Sequence, residues 1–376
     1  MRIQPQQLQL PVLNARSAFG PAVGAVKPFG KGKTLRDSIF WDMERDGITQ
    51  STIQTFVDCP MKAYRKMFEG LKAGDFDRRL QFGTYFHDVL DSVYTQRKRK
   101  PDFPWLKIGR ATLDAIYEET VESLDDPRDV ETFDQVHGLC EVVLTEYFNW
   151  YKKEDTKLKI LAVEKQFAFP YTLRNGRVIM VRGKIDLIEE KNGKEIWIWD
   201  HKTKSAIEIN DRSRITVGAI AEKMDWELQI MVYCLAVYHL YGKYPTGVVY
   251  NLVKTPGQEF KGSYNKKPET LQEFYQRVLS DMDAKSDPRT RNSEYFLRLD
   301  ISVTQKEIEY WRDTDFDYII ERIYEWSQGG IASYRNSKNC AAFRKPCEFL
   351  RICSSNDRSG YKKRESVFPE LEEGED

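Results

Sequence analysis

Net charge is the first thing this sequence lacks. Its 58 lysines and arginines are matched by 58 aspartates and glutamates across 376 residues. It therefore has no global basic field of the kind many nucleic-acid-binding modules carry, and any such field has to be local. Long apolar runs are missing too. A membrane-spanning helix needs about twenty apolar residues in succession, and Pro5 and Pro11 interrupt the start of the chain before a signal-like stretch can build. The expected protein is soluble and cytoplasmic, with no membrane partner. The six cysteines form no C-x-x-C pair. Without a secretion signal they argue against a disulfide framework and for thiols used as ligands or core filler. A complete phosphate-binding loop is absent as well. Gly32, Lys33 and Thr34 supply its end, but Lys27 stands where its first glycine belongs and no apolar strand precedes it, which argues against a nucleotide-driven motor.

What is present is an ordinary folded-protein composition, 41% hydrophobic and 13% aromatic, enough for one large core or two modest ones. Residues 1 to about 45 carry proline, glycine and basic residues with little periodicity, and are expected to form an extended or partly disordered arm. Ser51 and Thr52 can cap a helix with Ile53, Phe56, Tyr64 and Phe68 on one face, broken near Pro60. Helical spacing returns from Phe82 to Gln96. After Pro101 and Pro104 it continues through Phe133, Val136, Leu139, Val143, Tyr147 and Trp150, predicting a helical insertion over about 98–155. From Ile160 the period changes to two. ILAVEKQFAF, RVIMVRGKIDLIEE and EIWIWDHKT read as a three-strand meander that turns at Asn192 and Gly193. A helix from about Asp225 to Tyr241, strands near Val248–Val253 and Tyr295–Val303, and a long helix from about Gln305 to Gln328 follow. The order predicts an α/β fold, a mixed sheet flanked by helices, ahead of a charged tail over 356–376.

Along RVIMVRGKIDLIEE one face carries Ile179, Val181, Ile185 and Leu187, and the other carries Met180, Arg182, Lys184 and Asp186. On the next strand Ile196, Ile198, Asp200 and Lys202 share a face, so a carboxylate and an amine emerge at the end of an apolar strand. If the hairpin loop has an odd number of residues, such as Asn192, Gly193 and Lys194, Asp186 lies opposite Asp200; a two-residue loop would separate them. Two carboxylates in a half-buried groove repel, and a divalent cation is the usual way to keep both ionised. Oxygen ligands suit magnesium or manganese. Lys202 beside the cation can orient or deprotonate an attacking water and offset charge developing on a phosphate. A surface hairpin with an ordinary Asp–Lys pair would look the same.

Gly183-Lys184-Ile185-Asp186 followed by Asp200-His201-Lys202 resembles the signature of the PD-(D/E)XK nucleases. FGTYFHDVLD, with Gly83 one turn before His87, is similar to the Gly-x-x-x-His helix of their RecB-like branch, which implies that His87 is a metal ligand. WELQIMVYCLAVYHL puts Gln229 and Tyr233 on one helical face. It resembles the Gln-x-x-x-Tyr motif of that branch, which implies substrate-positioning roles for both. Apart from the resemblance, these would be a structural histidine and a satisfied amide.

Cys59 is far from Cys340, Cys347 and Cys353 in sequence, and together they suggest a four-ligand centre, zinc or iron–sulfur. The Cys-Pro helix near the start and the three late cysteines look like the iron–sulfur staple of RecB-like nucleases, implying a [4Fe-4S] cluster. The common late spacing, C-x2-C-x5-C, is here C-x6-C-x5-C. Cys140 and Cys234, within apolar helical runs, read as core filler. Arg65, Lys66, Phe68, Arg78, Arg79, Phe82, Lys254, Lys261, Tyr264, Lys266 and Lys267 mix basic and aromatic character as single-strand contacts do, although a solvated helix face looks alike.

The resemblance implies a restriction-endonuclease-like nuclease domain over 46–355. The expected reaction is hydrolysis of DNA phosphodiesters, with His87, Asp186, Asp200 and the carbonyl of His201 on Mg2+ or Mn2+ and Lys202 acting on the water. Exonuclease action on DNA ends or single strands in recombination, repair or phage replication is expected, with a helicase or recombination partner in trans. A non-catalytic DNA-end-binding subunit of a larger complex is the alternative.

Overall fold

The computed structural model describes residues 40–73, 78–100, 104–122, 124, 127–207, 227–261, 267–341 and 346–372. The Gly32–Thr34 segment lies outside them.

The expected mixed sheet is present. Strand β1 (Ile48–Thr49) leads directly into helix α1 (Gln50–Asp58), whose N-cap is Thr49, the side chain accepting from the Thr52 N–H. The helix stops at Cys59, which is extended (φ −165°, ψ 108°), and Pro60 opens a new turn at a position where its missing N–H costs nothing. Pro60 thus places Cys59 at the break. Helix α2 (Arg78–Arg99) carries His87, and α3 (Trp105–Glu122) and α4 (Pro127–Asp155) form the insertion. Strands β2 (Ile160–Thr172), β3 (Val178–Lys191) and β4 (Glu195–Lys204) make the antiparallel meander. Helix α5 (Leu228–Tyr241) crosses to β5 (Gly247–Lys254), which pairs with β4 in parallel. Helix α6 (Leu271–Ala284), stopped at its start by a capping box of Thr270 and Glu273, precedes β6 (Phe296–Ser302). Helices α7 (Gln305–Trp311) and α8 (Asp317–Ser327) are joined by a π-helical turn, Arg312–Phe316, so the predicted long helix is one run with a widened turn inside it.

The sheet order is β1, β3, β4, β5, β6, with β2 on the other side of β3. Strand β1 pairs with the first half of β3 and β4 with its second half. Two cores pack against the two faces. One joins Ile185, Ile196, Ile198, Tyr250 and Leu252 to α1, α5, α7 and α8. The other joins Leu187, Trp197, Trp199, Val249 and Val253 to α2 and the insertion.

The packed region is longer than the boundaries drawn from sequence. Trp41 is fully buried and donates through Nε1 to the Gly47 carbonyl at 2.9 Å, and Met43 is buried beside it in the first core; truncating such a side chain typically costs about 3–5 kcal/mol. At the other end, Tyr361–Lys363 pairs with Leu71–Ala73 and Phe368 joins the first core. The apolar residues in the charged tail anchor it. Among the described residues no helix is long and apolar enough to cross a membrane.

Candidate active site

Register decides where the carboxylates meet. The β3–β4 ladder runs from Lys191↔Glu195 to Leu187↔Trp199, so the loop is the three residues Asn192, Gly193 and Lys194. Asn192 (φ 54°) and Gly193 (φ 75°) take the left-handed conformation such a loop needs. One further step along this register sets Asp186 against Asp200, where the paired ladder ends and the strands are free to hold a site.

The site side chains form a connected set. An Asp186 Oδ2 accepts the His201 backbone N–H at 2.7 Å, and His87 Nδ1 lies 3.9 Å from the same oxygen. Lys202 Nζ is 3.0 Å from Asp200 Oδ1 and donates to Gln229 Oε1 at 2.7 Å. The Gln229 amide in turn donates to the Tyr233 hydroxyl at 2.8 Å. The four-residue spacing on α5 therefore fixes Lys202 from the opposite side of the sheet to His87. Gly83 permits this approach: a Cβ there would stand 2.9 Å from Thr203 Oγ1 on β4. Gly183 lets Phe167 lie flat on β3, since a Cβ would meet its ring at 2.5 Å.

Burial sets the electrostatics. It raises both carboxyls above the ordinary aspartate value; Lys202 pulls them back only in part, and Asp186 pushes Asp200 further. Burial also pulls Lys202 down, but the two aspartates more than offset it and keep the ammonium charged. The His87 ring is pushed down to about 4, mainly by burial, and is neutral at pH 7. Asp200 is fully buried, and its Oδ2 has no hydrogen-bond or ion-pair partner among the described residues. An orphaned carboxylate oxygen beside a second carboxylate and a neutral imidazole fits a divalent cation. As they stand, no three His, Cys, Asp or Glu side chains among the described residues are grouped as a ready-made metal site.

Residues 47–354 match the PD-(D/E)XK nuclease superfamily. The chain belongs to that superfamily. No curated protein matches the sequence. Among solved structures, the "Putative exonuclease" from Eubacterium rectale is similar at 12% identity, covering 82% of this chain and 92% of that one, with a TM-score of 0.41. The crystal structure of SSO0001 is similar at 13% identity, covering 64% and 93%, with a TM-score of 0.28.

The nuclease fold contains site neighbours that the sequence reading missed. Glu164 on β2 pairs with Lys184 at 2.5 Å, and its carboxyl is raised to about 7, by burial first and by Asp186 second. It reaches the site because the pairs Val163↔Leu187 and Lys165↔Ile185 bracket Glu164 and Asp186, and Glu164 itself takes φ 45°. The His201 ring packs against α2, stacked on Tyr94 with centroids 5.8 Å apart. Its Nδ1 accepts from the Asn251 amide at 2.8 Å. That amide also donates to Tyr147, its oxygen accepts from Arg298 Nε at 3.2 Å, and Arg298 pairs with Asp155. A charge pair on α4 and β6 thus braces the strand that carries Asp200.

The expected nucleic-acid contacts fare differently. Phe82 is a core residue and Phe68, partly buried, packs against the first core; Arg65 is paired with Glu69 at 2.7 Å, and Lys254 lies over Tyr295 and 3.7 Å from Glu294. Lys66 is half-buried, with its ammonium lowered chiefly by burial. Lys261 and Lys267 are exposed. The side chains of Arg78 and Arg79, and all of Tyr264 and Lys266, lie outside the described residues.

The four cysteines from opposite ends of the chain line one cavity of about 410 Å³ with Asp58, Lys62, Asn336, Asn339 and Phe349. Cys59 Sγ accepts the Asn336 N–H at 3.4 Å, and the Cys347 N–H donates to the Cys340 carbonyl at 2.8 Å. Cys140 and Cys234 are fully buried, with burial raising both thiols.

Proposed function

We propose that the chain is a divalent-metal-dependent DNA nuclease, with His87, Asp186, Asp200 and the carbonyl of His201 as ligands to Mg2+ or Mn2+. The observation that carries this is the orphaned, fully buried Asp200 carboxylate opposite Asp186, with a charged lysine at its side. When bound, the cation would polarise the phosphate and supply an activated water. The protein's own part is positional. His201 N–H holds one Asp186 oxygen in place, and the charged Lys202 offsets negative charge that develops on the phosphate. Gln229 holds that ammonium and is itself held by Tyr233, which suits a substrate-bordering pair. The resemblance to the RecB-like branch favours exonuclease action on DNA ends or single strands, in recombination, repair or phage replication, with a helicase or recombination partner in trans.

The same reading assigns Cys59, Cys340, Cys347 and Cys353 to a [4Fe-4S] cluster. A zinc ion draws four sulfurs to one point, whereas a cluster spreads them around its corners; thiols distributed around a cavity wall suit the cluster. Its role would be to join the start of the domain to its end.

End-labelled linear and closed circular DNA, incubated with anaerobically purified protein and manganese, magnesium or chelator, test the function. Cation-dependent loss of the linear DNA with sparing of the circle is expected. Equal cutting of the circle overturns the exonuclease reading, and no hydrolysis with either cation overturns the enzyme.

A further inference from the structure

On β3, Arg182, Lys184 and Asp186 share one face. The pairing with β2 runs from Thr172↔Val178 through Ala168↔Arg182 and Gln166↔Lys184 to Lys165↔Ile185, and resumes at Val163↔Leu187 beyond Glu164 and Asp186. Even-numbered positions from Met180 to Asp186 are all half-buried, alternating with buried ones. A strand rises about 3.3 Å per residue, which puts Arg182 about 13 Å from Asp186 along the strand. Lys184 between them is committed to Glu164. Arg182 is not committed. Its Nε is buried without an acceptor, and no hydrogen bond or ion pair to it exists among the described residues.

A buried guanidinium N–H left unpaired is costly, and the donors of a guanidinium match a planar or tetrahedral oxyanion. The space is there. Arg182 faces an open cavity of about 550 Å³, lined also by Arg45, Asp46, Glu365, Phe368 and Glu372. Arg45 already pairs with Asp46 at 2.7 Å. Glu365 and Glu372 border the cavity without pairing to Arg182, although Leu371 is held close by the Gln166 amide at 2.9 Å.

We propose that Arg182 binds a backbone phosphate of the nucleic-acid strand, a few nucleotides from the phosphodiester cut beside Asp186, and that Glu365 and Glu372 weaken this contact from the rim. The inference rests on the proposed nuclease function. It commits to a nucleic-acid strand as occupant because Arg182 lies on the strand that leads to Asp186 and, unlike Arg45, has no acidic partner among the described residues. The competing occupant is the chain's own acidic C-terminal segment.

The test uses the full chain with Arg182→Ala, Arg182→Lys and Glu372→Gln, each checked for an unchanged thermal midpoint. Binding of a short fluorescein-labelled single-stranded oligonucleotide is measured against salt in chelator, and steady-state cleavage in manganese. For Arg182→Ala, Kd should weaken about tenfold and the slope of log Kd on log salt should fall by about 0.7, one phosphate's worth. KM should rise by more than kcat falls. Arg182→Lys should recover part of the salt slope, and Glu372→Gln should tighten binding. Wild-type Kd and slope in Arg182→Ala overturn the proposal. So does weakened binding with an unchanged slope, which marks a structural role, and tighter binding, which marks the C-terminal segment as occupant. If Arg182→Ala fails to fold, Glu372→Gln decides, and unchanged binding there overturns the proposal. Wild-type protein that binds with an Arg182-dependent slope yet hydrolyses no DNA defeats the proposed function alone.

Discussion

The Asp186–Asp200 centre and the cysteine cavity are built by opposite means. At the carboxylates, side chains from both faces of the sheet reach one another: Gln229 holds Lys202, and the His201 backbone holds Asp186. Behind His201, Asn251, Tyr147, Arg298 and Asp155 close a satisfied polar network. At the cysteines, an early segment meets a late one across a cavity, beside a small core of Leu71, Phe349 and Ile352 among the described residues. The first region is organised by the fold; the second gives the fold a seam that a cofactor can close. Mutations should therefore act on chemistry in the first and on stability in the second, with the bracing network behaving as fold.

The largest effect expected is at Lys202. Lys202→Ala should lower manganese-dependent cleavage per folded molecule by about a thousandfold or more, because the ammonium acts on developing charge, and should also lower the thermal midpoint, because it strands the buried Asp200 carboxylate. A loss below tenfold would remove Lys202 from the mechanism.

Next comes Arg298→Ala, which strands Asp155, 1% exposed at its side chain, without its charge partner. Breaking one member of a buried pair costs about 3–5 kcal/mol. Urea unfolding should show that loss, and a change within error would mean that the network is not what holds β4 and β6 together.

At the seam, the proposed [4Fe-4S] cluster predicts that Cys59→Ala loses iron that the wild type holds and about 2–4 kcal/mol of stability, the range of other cross-links that close long loops. Iron analysis beside limited proteolysis reads both. Iron-loaded, protease-resistant Cys59→Ala protein would show that Cys59 is not a ligand.

The smallest effect lies between the regions. Gly183→Ala drives a methyl into the Phe167 ring, and overpacking of this kind costs about 1–3 kcal/mol. The denaturation midpoint should fall while the metal requirement stays the same.

Much of the centre was legible because its parts repeat locally. The odd loop at Asn192–Lys194 was one of two legible alternatives, and the i, i+4 spacing of Gln229 and Tyr233 is a helical period; strict alternation along β3 does not hold beside Asp186, where Ile185 and Leu187 enter opposite cores. Glu164 was not legible, because only the pairing of β2 with β3 brings it to Asp186 and its left-handed backbone has no local signal. The Arg298–Asp155–Asn251 brace comes from three separated elements, and no local pattern announces a long-range charge pair. Phe68 and Phe82 suggested base stacking because aromatic residues beside basic ones look alike in cores and in grooves; only packing separates the two. The helix α6 passed unnoticed in a charged stretch, despite its capping box.

The central claim is that Asp186 and Asp200 together create a cation site that hydrolysis depends on. Manganese titration calorimetry of the wild type and Asp200→Ala, with DNA cleavage followed in the same samples, tests it most directly. The wild type should bind the cation and cleave, and Asp200→Ala should do neither at an unchanged thermal midpoint. Cleavage at the wild-type rate by Asp200→Ala would contradict the account.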